Sequence, residues 1–215
     1  RGGEHLLSLI EGTLDIARIE SGKLSLDLKP MRFADLVQDM ASLFELEAQA
    51  KGLQFRCEAS GALPPWVRGD EKRVRQILIN LLGNAIKFTE QGHVRLQVQR
   101  NGSTDAIARL RFEVQDSGIG IAPENLSQLF ERFEQGDASI ARRFGGNGLG
   151  LSITRNLVEA MGGKIGVDSV SGEGSRFFIN LPCQSTNAVQ TRISGETPLE
   201  EQGPIRILIV DDNPL

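Results

Sequence analysis

Apolar positions change their period several times along this chain, and each change marks an element. Leu7, Ile10, Leu14, Ala17, Ser21 and Leu24 follow a 3-4-3-4-3 spacing, the seam of a coiled coil or antiparallel helical bundle. Such a helix has no way to bury its seam alone and needs a neighbour. The segment Glu20 to Lys23, with Gly22 in it, marks the end of that helix. The period then drops to two in Leu24, Leu26 and Leu28, a strand pattern that Pro30 closes. Between Phe33 and Ala50 an amphipathic helix is expected, with Leu36, Met40, Leu43, Phe44 and Leu46 on its inner side. Leu53, Phe55 and Cys57 alternate as a strand. Trp66 leads into Gly69 and Asp70, and Asp70 is a good N-cap for the helix whose apolar stripe is Ile77, Leu78, Leu81, Leu82 and Ala85.

Two long alternating strands follow, near Val94–Val98 and Ala108–Val114, parted by the turn-rich stretch from Asn101 to Thr104. Leu149 to Met161 reads as a helix stopped by Gly162 and Gly163, and strands near Lys164–Asp168 and Ser175–Leu181 finish the unit. Strands interleaved with helices in this way predict an α+β fold, a two-layer α/β sandwich with a mixed sheet and helices on one face, preceded by the bundle helix. Residues 184–203 shift to Ser, Thr, Gln, Glu, Gly and Pro and read as a flexible linker. The expected organisation is therefore 1–23 bundle helix, 24–183 main unit, 184–203 linker, and 204–215 the start of something new. That last piece is an apolar strand, Ile205 to Val210, ending in the carboxylates Asp211 and Asp212.

Composition narrows the class. With 215 residues, 40% hydrophobic and 24% charged, the chain can bury one good core plus an appendage. A net charge of -4 argues against nucleic acid as a partner. No apolar run approaches the roughly 20 residues that cross a bilayer, and no signal peptide is visible, so a soluble intracellular piece of a longer protein is expected. Cys57 and Cys183 lie far apart without partners at metal spacing and read as reduced thiols.

The chemistry concentrates in glycine. Asp116-Ser117-Gly118-Ile119-Gly120-Ile121 sets one carboxylate against glycine turns, and the later run Gly145 to Leu151 places a second glycine cluster at the opening of a helix. Glycine lets backbone approach a ligand and supplies positive φ, while amide N–H groups at a helix start attract phosphate. The first cluster would read a base and the second would cover phosphates; taken singly, each is also ordinary turn chemistry. On the preceding helix Asn80, Asn84 and Lys87 stand at i, i+4 and i+7, on one side. A solvated face would more naturally carry Glu, Lys or Gln than Asn. The amide oxygen of Asn is a hard neutral ligand suited to Mg²⁺ shared with the phosphates of a nucleotide.

With these segments the sequence resembles the ATP-binding domain of sensor histidine kinases, within the wider gyrase, Hsp90, histidine kinase and MutL ATPase group. Gln76 to Thr89 is similar to that family's asparagine box, Asp116 to Ile121 to its first glycine box, and Phe130 to Phe133 to its phenylalanine box. Gly145 to Leu151 is similar to the second glycine box, and Gly172 to Phe177 to the closing glycine segment. The resemblance implies a Bergerat-type ATP-binding fold, with ATP and Mg²⁺ as cofactors. Asp116 would accept a hydrogen bond from the adenine amine, in a pocket shaped by Gly118, Gly120, Ile121 and Ser175. Asn84 would hold Mg²⁺, Asn80 would sit near the triphosphate, and Lys87 would offset phosphate charge. Gly146, Gly148, Leu149 and Gly150 would cover the nucleotide, and Arg143 would reach the γ-phosphate. The lid would run from about Gln135 to Gly148, bracketed by Phe133 and Phe144, which serve either as latches or as ordinary core. Asn147 departs from the Thr more usual at its position, a change that left-handed backbone tolerates.

The same resemblance makes the N-terminal segment the second dimerisation helix. His5 is then not the phosphate acceptor, which belongs to the missing first helix, and His93 is a strand residue. The C-terminal strand is similar to the start of a receiver domain, so the parent reads as a hybrid sensor kinase. Its implied partners are a second copy through the helical bundle, a receiver domain or response regulator, and another sensor kinase. The implied location is cytoplasmic, beneath a bacterial inner-membrane receptor. Two other functions share this fold. One is a regulatory or phosphatase-type sensor acting on another kinase. The other, an ATP-hydrolysing machine, is disfavoured by Asn80, because an amide takes no proton from water.

Overall fold

A computed structural model describes residues 24–61, 63–101, 108–131 and 150–186. The expected bundle helix, the whole of the lid, the linker beyond Thr186 and the receiver-like strand lie outside these residues. Strand β1 (Lys29–Arg32) leads directly into helix α1 (Phe33–Ala50), followed by β2 (Gln54–Ser60) and β3 (Trp66–Gly69). Helix α2 (Glu71–Phe88) comes next, then β4 (His93–Asn101), β5 (Ala108–Asp116) and the one-turn α3 (Pro123–Leu126). Helix α4 (Gly150–Ala160), β6 (Lys164–Val170) and β7 (Gly174–Ser185) complete the unit.

The strands form one sheet in the order β1-β3-β7-β5-β4-β2, with β6 alongside β7. The sheet is mixed, as expected: β2 runs parallel to β4, while the other pairs are antiparallel. Alternation decides its two sides. Val94, Leu96 and Val98 of β4, Leu110, Phe112 and Val114 of β5, and Phe177, Ile179 and Leu181 of β7 are buried in register beneath the helices. On the other side Glu113, Phe178 and Gly166 form one cross-strand row. There the Arg111 guanidinium stacks 4.4 Å from the Phe178 ring centre.

Helix α2 is the middle of the helical layer. Asp70 caps it through the backbone N–H of Arg73, and its second carboxylate oxygen accepts from Asp27 N–H at 3.0 Å. The stripe Ile77, Leu78, Leu81, Leu82 and Ala85 is buried, as the sequence predicts. Helix α1 lies beside it in the same direction. Arg75 pairs with Asp39 near their starts, and the Lys51 ammonium, just past the end of α1, donates to the carbonyls of Ile86 and Lys87 at 2.6 and 2.9 Å. That cation sits where the last carbonyls of α2 carry partial negative charge.

Three sequence expectations change. The run from Leu24 to Leu28 is not a strand; pairing begins at Lys29, and Pro30 lies inside β1. Proline is tolerated there because, among the described residues, β1 is an edge strand with a partner on one side only. Leu43 and Leu46 of α1 face outward at 42% and 68% exposure, since Phe33, Val37 and Ala48 complete the inner side with Leu36, Met40 and Phe44. Strand β7 continues to Ser185, beyond the expected boundary at 183, because Gln184 and Ser185 pair with Arg68 and Val67. Among the described residues no helix is long and apolar enough to cross a membrane. Cys57 and Cys183 are both free.

Candidate functional site

Asp116 ends β5 at the point where three segments meet: the last turn of α2, the loop 117–121 and the hairpin between β6 and β7. The loop is stitched to both neighbours. Ile119 N–H donates to Phe88 O at 3.3 Å, and Gly172 N–H donates to Ile119 O at 2.8 Å. Ser117 bonds His93 through its backbone N–H and accepts from His93 N–H with its hydroxyl at 2.9 Å. A Cβ on Gly118 would collide with the Phe88 carbonyl, and one on Gly120 with the Val170 carbonyl. Gly120 (φ 65°) and Gly174 (φ 117°) also hold left-handed backbone. The backbone that approaches these glycines is the chain's own, so they are needed first to close the junction around Asp116.

Asp116 itself is 7% exposed and has no cationic hydrogen-bond partner among the described residues. Its carboxylate accepts from Gly118 N–H at 2.9 Å and from the backbone of Ser175. Burial pushes the carboxyl up from its ordinary value, against these hydrogen bonds and the nearby His93, which pull it down. A buried acid satisfied only by backbone donors is a candidate for meeting a ligand's N–H.

Ser175 is buried directly across from Asp116 in the β5–β7 register. Its hydroxyl lies 2.9 Å from that of Ser169 in β6, which also accepts from Ile121 N–H at 2.8 Å and donates to Gly174 O at 2.8 Å. Asp116, Gly118, Gly120, Ile121 and Ser175 are thus brought together. Ser169 joins them and is missed by the sequence reading, which ends the strand at Asp168. The signal was present: Ile165 and Val167 alternate onto the core side, and one more step of the same period reaches Ser169.

Asn80 faces α4. Its amide nitrogen donates to Thr154 Oγ1 at 2.6 Å, and a Cβ on Gly150 would strike its amide oxygen. The missing side chain at Gly150 lets the start of α4 close onto α2. Thr154, 1% exposed, is a second residue that the sequence did not single out. Asn84, one turn beyond Asn80, is half-buried. Lys87 is half-buried as well. Burial lowers its ammonium from the ordinary value, and it stands 5.0 Å over the Phe88 ring. Phe133, Arg143, Gly146, Gly148 and Leu149 lie outside the described residues. A separate open cleft of about 250 Å³, lined by Phe130, Glu131, Ser152, Arg155, Asn156 and Glu159, shares no residue with the Asp116 cluster.

The family described as histidine kinase-, DNA gyrase B-, and HSP90-like ATPase matches residues 69–185, a span that includes Asn80, Asn84, Asp116 and Ser175. The sensory/regulatory protein RpfC of Xanthomonas campestris pv. campestris is 42% identical over 178 residues, covering 82% of this chain and 24% of RpfC. The sensor protein GacS of Pseudomonas syringae pv. syringae is 44% identical over 181 residues, covering 84% of this chain and 20% of GacS. The chain thus spans about a quarter or less of these curated relatives. Among solved structures, full-length ShkA in complex with AMPPNP superposes with a TM-score of 0.74 at 38% identity, covering 87% of this chain and 38% of ShkA.

Proposed function

This chain belongs to the family of histidine kinase-, DNA gyrase B- and HSP90-like ATPases, and on that premise we propose that it is the ATP-binding catalytic region of a hybrid two-component sensor histidine kinase. It transfers the γ-phosphoryl of ATP to a histidine outside these residues, for relay to an aspartate. The observation that carries this reading is the buried Asp116, held by backbone N–H groups alone at the glycine junction beside the asparagine stripe of α2. Bound Mg·ATP supplies the phosphoryl group and the cation that draws charge from it.

Asp116 accepts the adenine amine, with Gly118, Gly120, Ile121 and Ser175 forming the pocket around it. Asn84 offers its amide oxygen to Mg²⁺, which binds neutral oxygen ligands alongside phosphate. Lys87 sits one turn further along α2, its half-buried ammonium strengthened by any phosphate that comes near. Asn80 holds the start of α4 against α2 next to the triphosphate and, as an amide, activates no water. That favours transfer to a side chain over hydrolysis. Gly146, Gly148, Leu149 and Gly150 would cover the phosphates, Phe133 would latch the lid, and Arg143 would reach the γ-phosphate. Positioning and charge do most of the chemical work. In the proposed parent protein the segment 1–23 would contribute to a dimerising helical bundle, the segment 204–215 would begin a receiver domain, and the whole would lie on the cytoplasmic side of an inner-membrane receptor. A response regulator or another sensor kinase is its further partner.

Calorimetric titration with Mg·ATP tests this reading. Saturable binding that Asp116→Asn abolishes, and that Asn84→Ala makes less dependent on Mg²⁺, is the expected result. No binding at millimolar ATP by the folded chain overturns the catalytic reading in favour of a regulatory partner that acts on another kinase.

A further inference from the structure

We propose that Ser169 is a positioning residue that makes the base pocket all-acceptor and thereby sets its preference for adenine over a keto purine. The inference rests on the ATP reading of the Asp116 site and adds a determinant outside it. Ser169 Oγ lies within hydrogen-bond distance of three groups: Ile121 N at 2.8 Å, Gly174 O at 2.8 Å and Ser175 Oγ at 2.9 Å. A hydroxyl has one proton and two lone pairs. The carbonyl of Gly174 only accepts, so the Ser169 proton is committed there. The backbone N–H of Ile121 only donates and occupies one lone pair. What remains on Ser169 is a second lone pair, so Ser175 must be the donor of the bond between the two hydroxyls.

With its proton spent on Ser169, the Ser175 hydroxyl shows only lone pairs to its surroundings. It stands in register with Asp116 on the core side of the sheet and gives its own backbone N–H to that carboxylate. The polar side chains of the pocket are therefore two adjacent acceptors with no donor between them. An amino group at the 6-position of a purine, or a water that donates inward, satisfies such a pair; a 6-keto oxygen meets lone pairs instead. A site built to receive a donor rejects the analogue that lacks it, because its own buried groups are then left unpaired. Removing the Ser169 hydroxyl frees Ser175 to turn its proton toward the ligand and blurs that distinction.

The experiment compares Mg·ATP with Mg·ITP, whose hypoxanthine carries a 6-keto oxygen for the amino group and an N1–H for the N1 lone pair, binding the full chain in calorimetry at neutral pH. Ser169→Ala is expected to narrow the ATP-to-ITP affinity ratio by roughly three- to tenfold, the size of one hydrogen bond, while Ser169→Thr keeps it. Ser175→Ala, which removes the acceptor but leaves the Ser169 anchors to Ile121 and Gly174 in place, is expected to narrow it too and stands in if Ser169→Ala does not fold. An unmoved ratio, with both nucleotides weakened in parallel, overturns the proposal and leaves Ser169 a purely structural latch. Failure of the unaltered chain to bind ATP overturns this proposal and the ATP reading together, whereas ATP binding with an unmoved ratio overturns this proposal alone.

Discussion

On the proposed function, Asp116 is expected to give opposite pH dependences to stability and to ligand binding. Its folded value lies above the unfolded one because burial outweighs its hydrogen bonds. Its contribution to stability is therefore fully present below the unfolded value, about 3.9, and is lost as pH rises through the folded value. The proposed adenine contact needs the ionised acceptor and so is expected to strengthen over the same interval. Between the ordinary carboxylate range and the raised value, the nucleotide-free chain is expected to lose stability relative to Asp116→Asn as pH rises, while its ATP affinity grows. Urea midpoints and calorimetry across that window check both slopes, and parallel slopes would count against the site. Gly120→Ala combines a left-handed φ with a collision at the Val170 carbonyl and is expected to cost roughly 1–3 kcal/mol in denaturant unfolding. At this scale the sequence was most informative where chemistry is local: a carboxylate two residues from a glycine announces its own turn. For Ser169 the period of β6 offered the position, but its hydrogen bonds to Ile121, Gly174 and Ser175 arise only when β6 folds back on β7.

The elements carry a different set of constraints. Asp70 serves two donors, the N-terminus of α2 and the backbone of Asp27, so Asp70→Ala is expected to cost about 1–2 kcal/mol, measurable as a lowered denaturation midpoint. The bond from Asn80 to Thr154 ties α2 to α4. A double-mutant cycle of Asn80→Ala and Thr154→Val is expected to show coupling of about 1 kcal/mol, and additivity would show that the two helices are held by apolar packing alone. Helix α2 was fully readable, with its cap, its buried stripe and its polar side, because a 3.6-residue period bounded by Asp70 leaves little choice. For α1 the period placed the helix but not its rotation. Leu43 and Leu46 have the same chemistry as Leu36, and only the position of the neighbouring helix decides which leucines are covered.

For the molecule as a whole, alternation in β4, β5 and β7 made the two-layer architecture legible, while the pairing order was not, since strand register depends on contacts between distant segments. The parallel pairing of β2 and β4 follows from two helix-then-strand units laid side by side, joined at their ends by Lys51. Among the described residues it also leaves β2 at the rim of the sheet, exposed along its length except at Phe55. An unpaired rim is a ready template for a strand from another molecule. Here Arg56 and Glu58 stand on it, Glu58 within 3.8 Å of Arg95 on the next strand, and any incoming strand must strip water from those charges. Replacing both by valine would leave the core and the nucleotide junction untouched yet make self-association rise with concentration, so that light scattering, not ligand binding, would register the loss. Charges that take no part in the proposed nucleotide site are thus expected to guard this rim against aggregation.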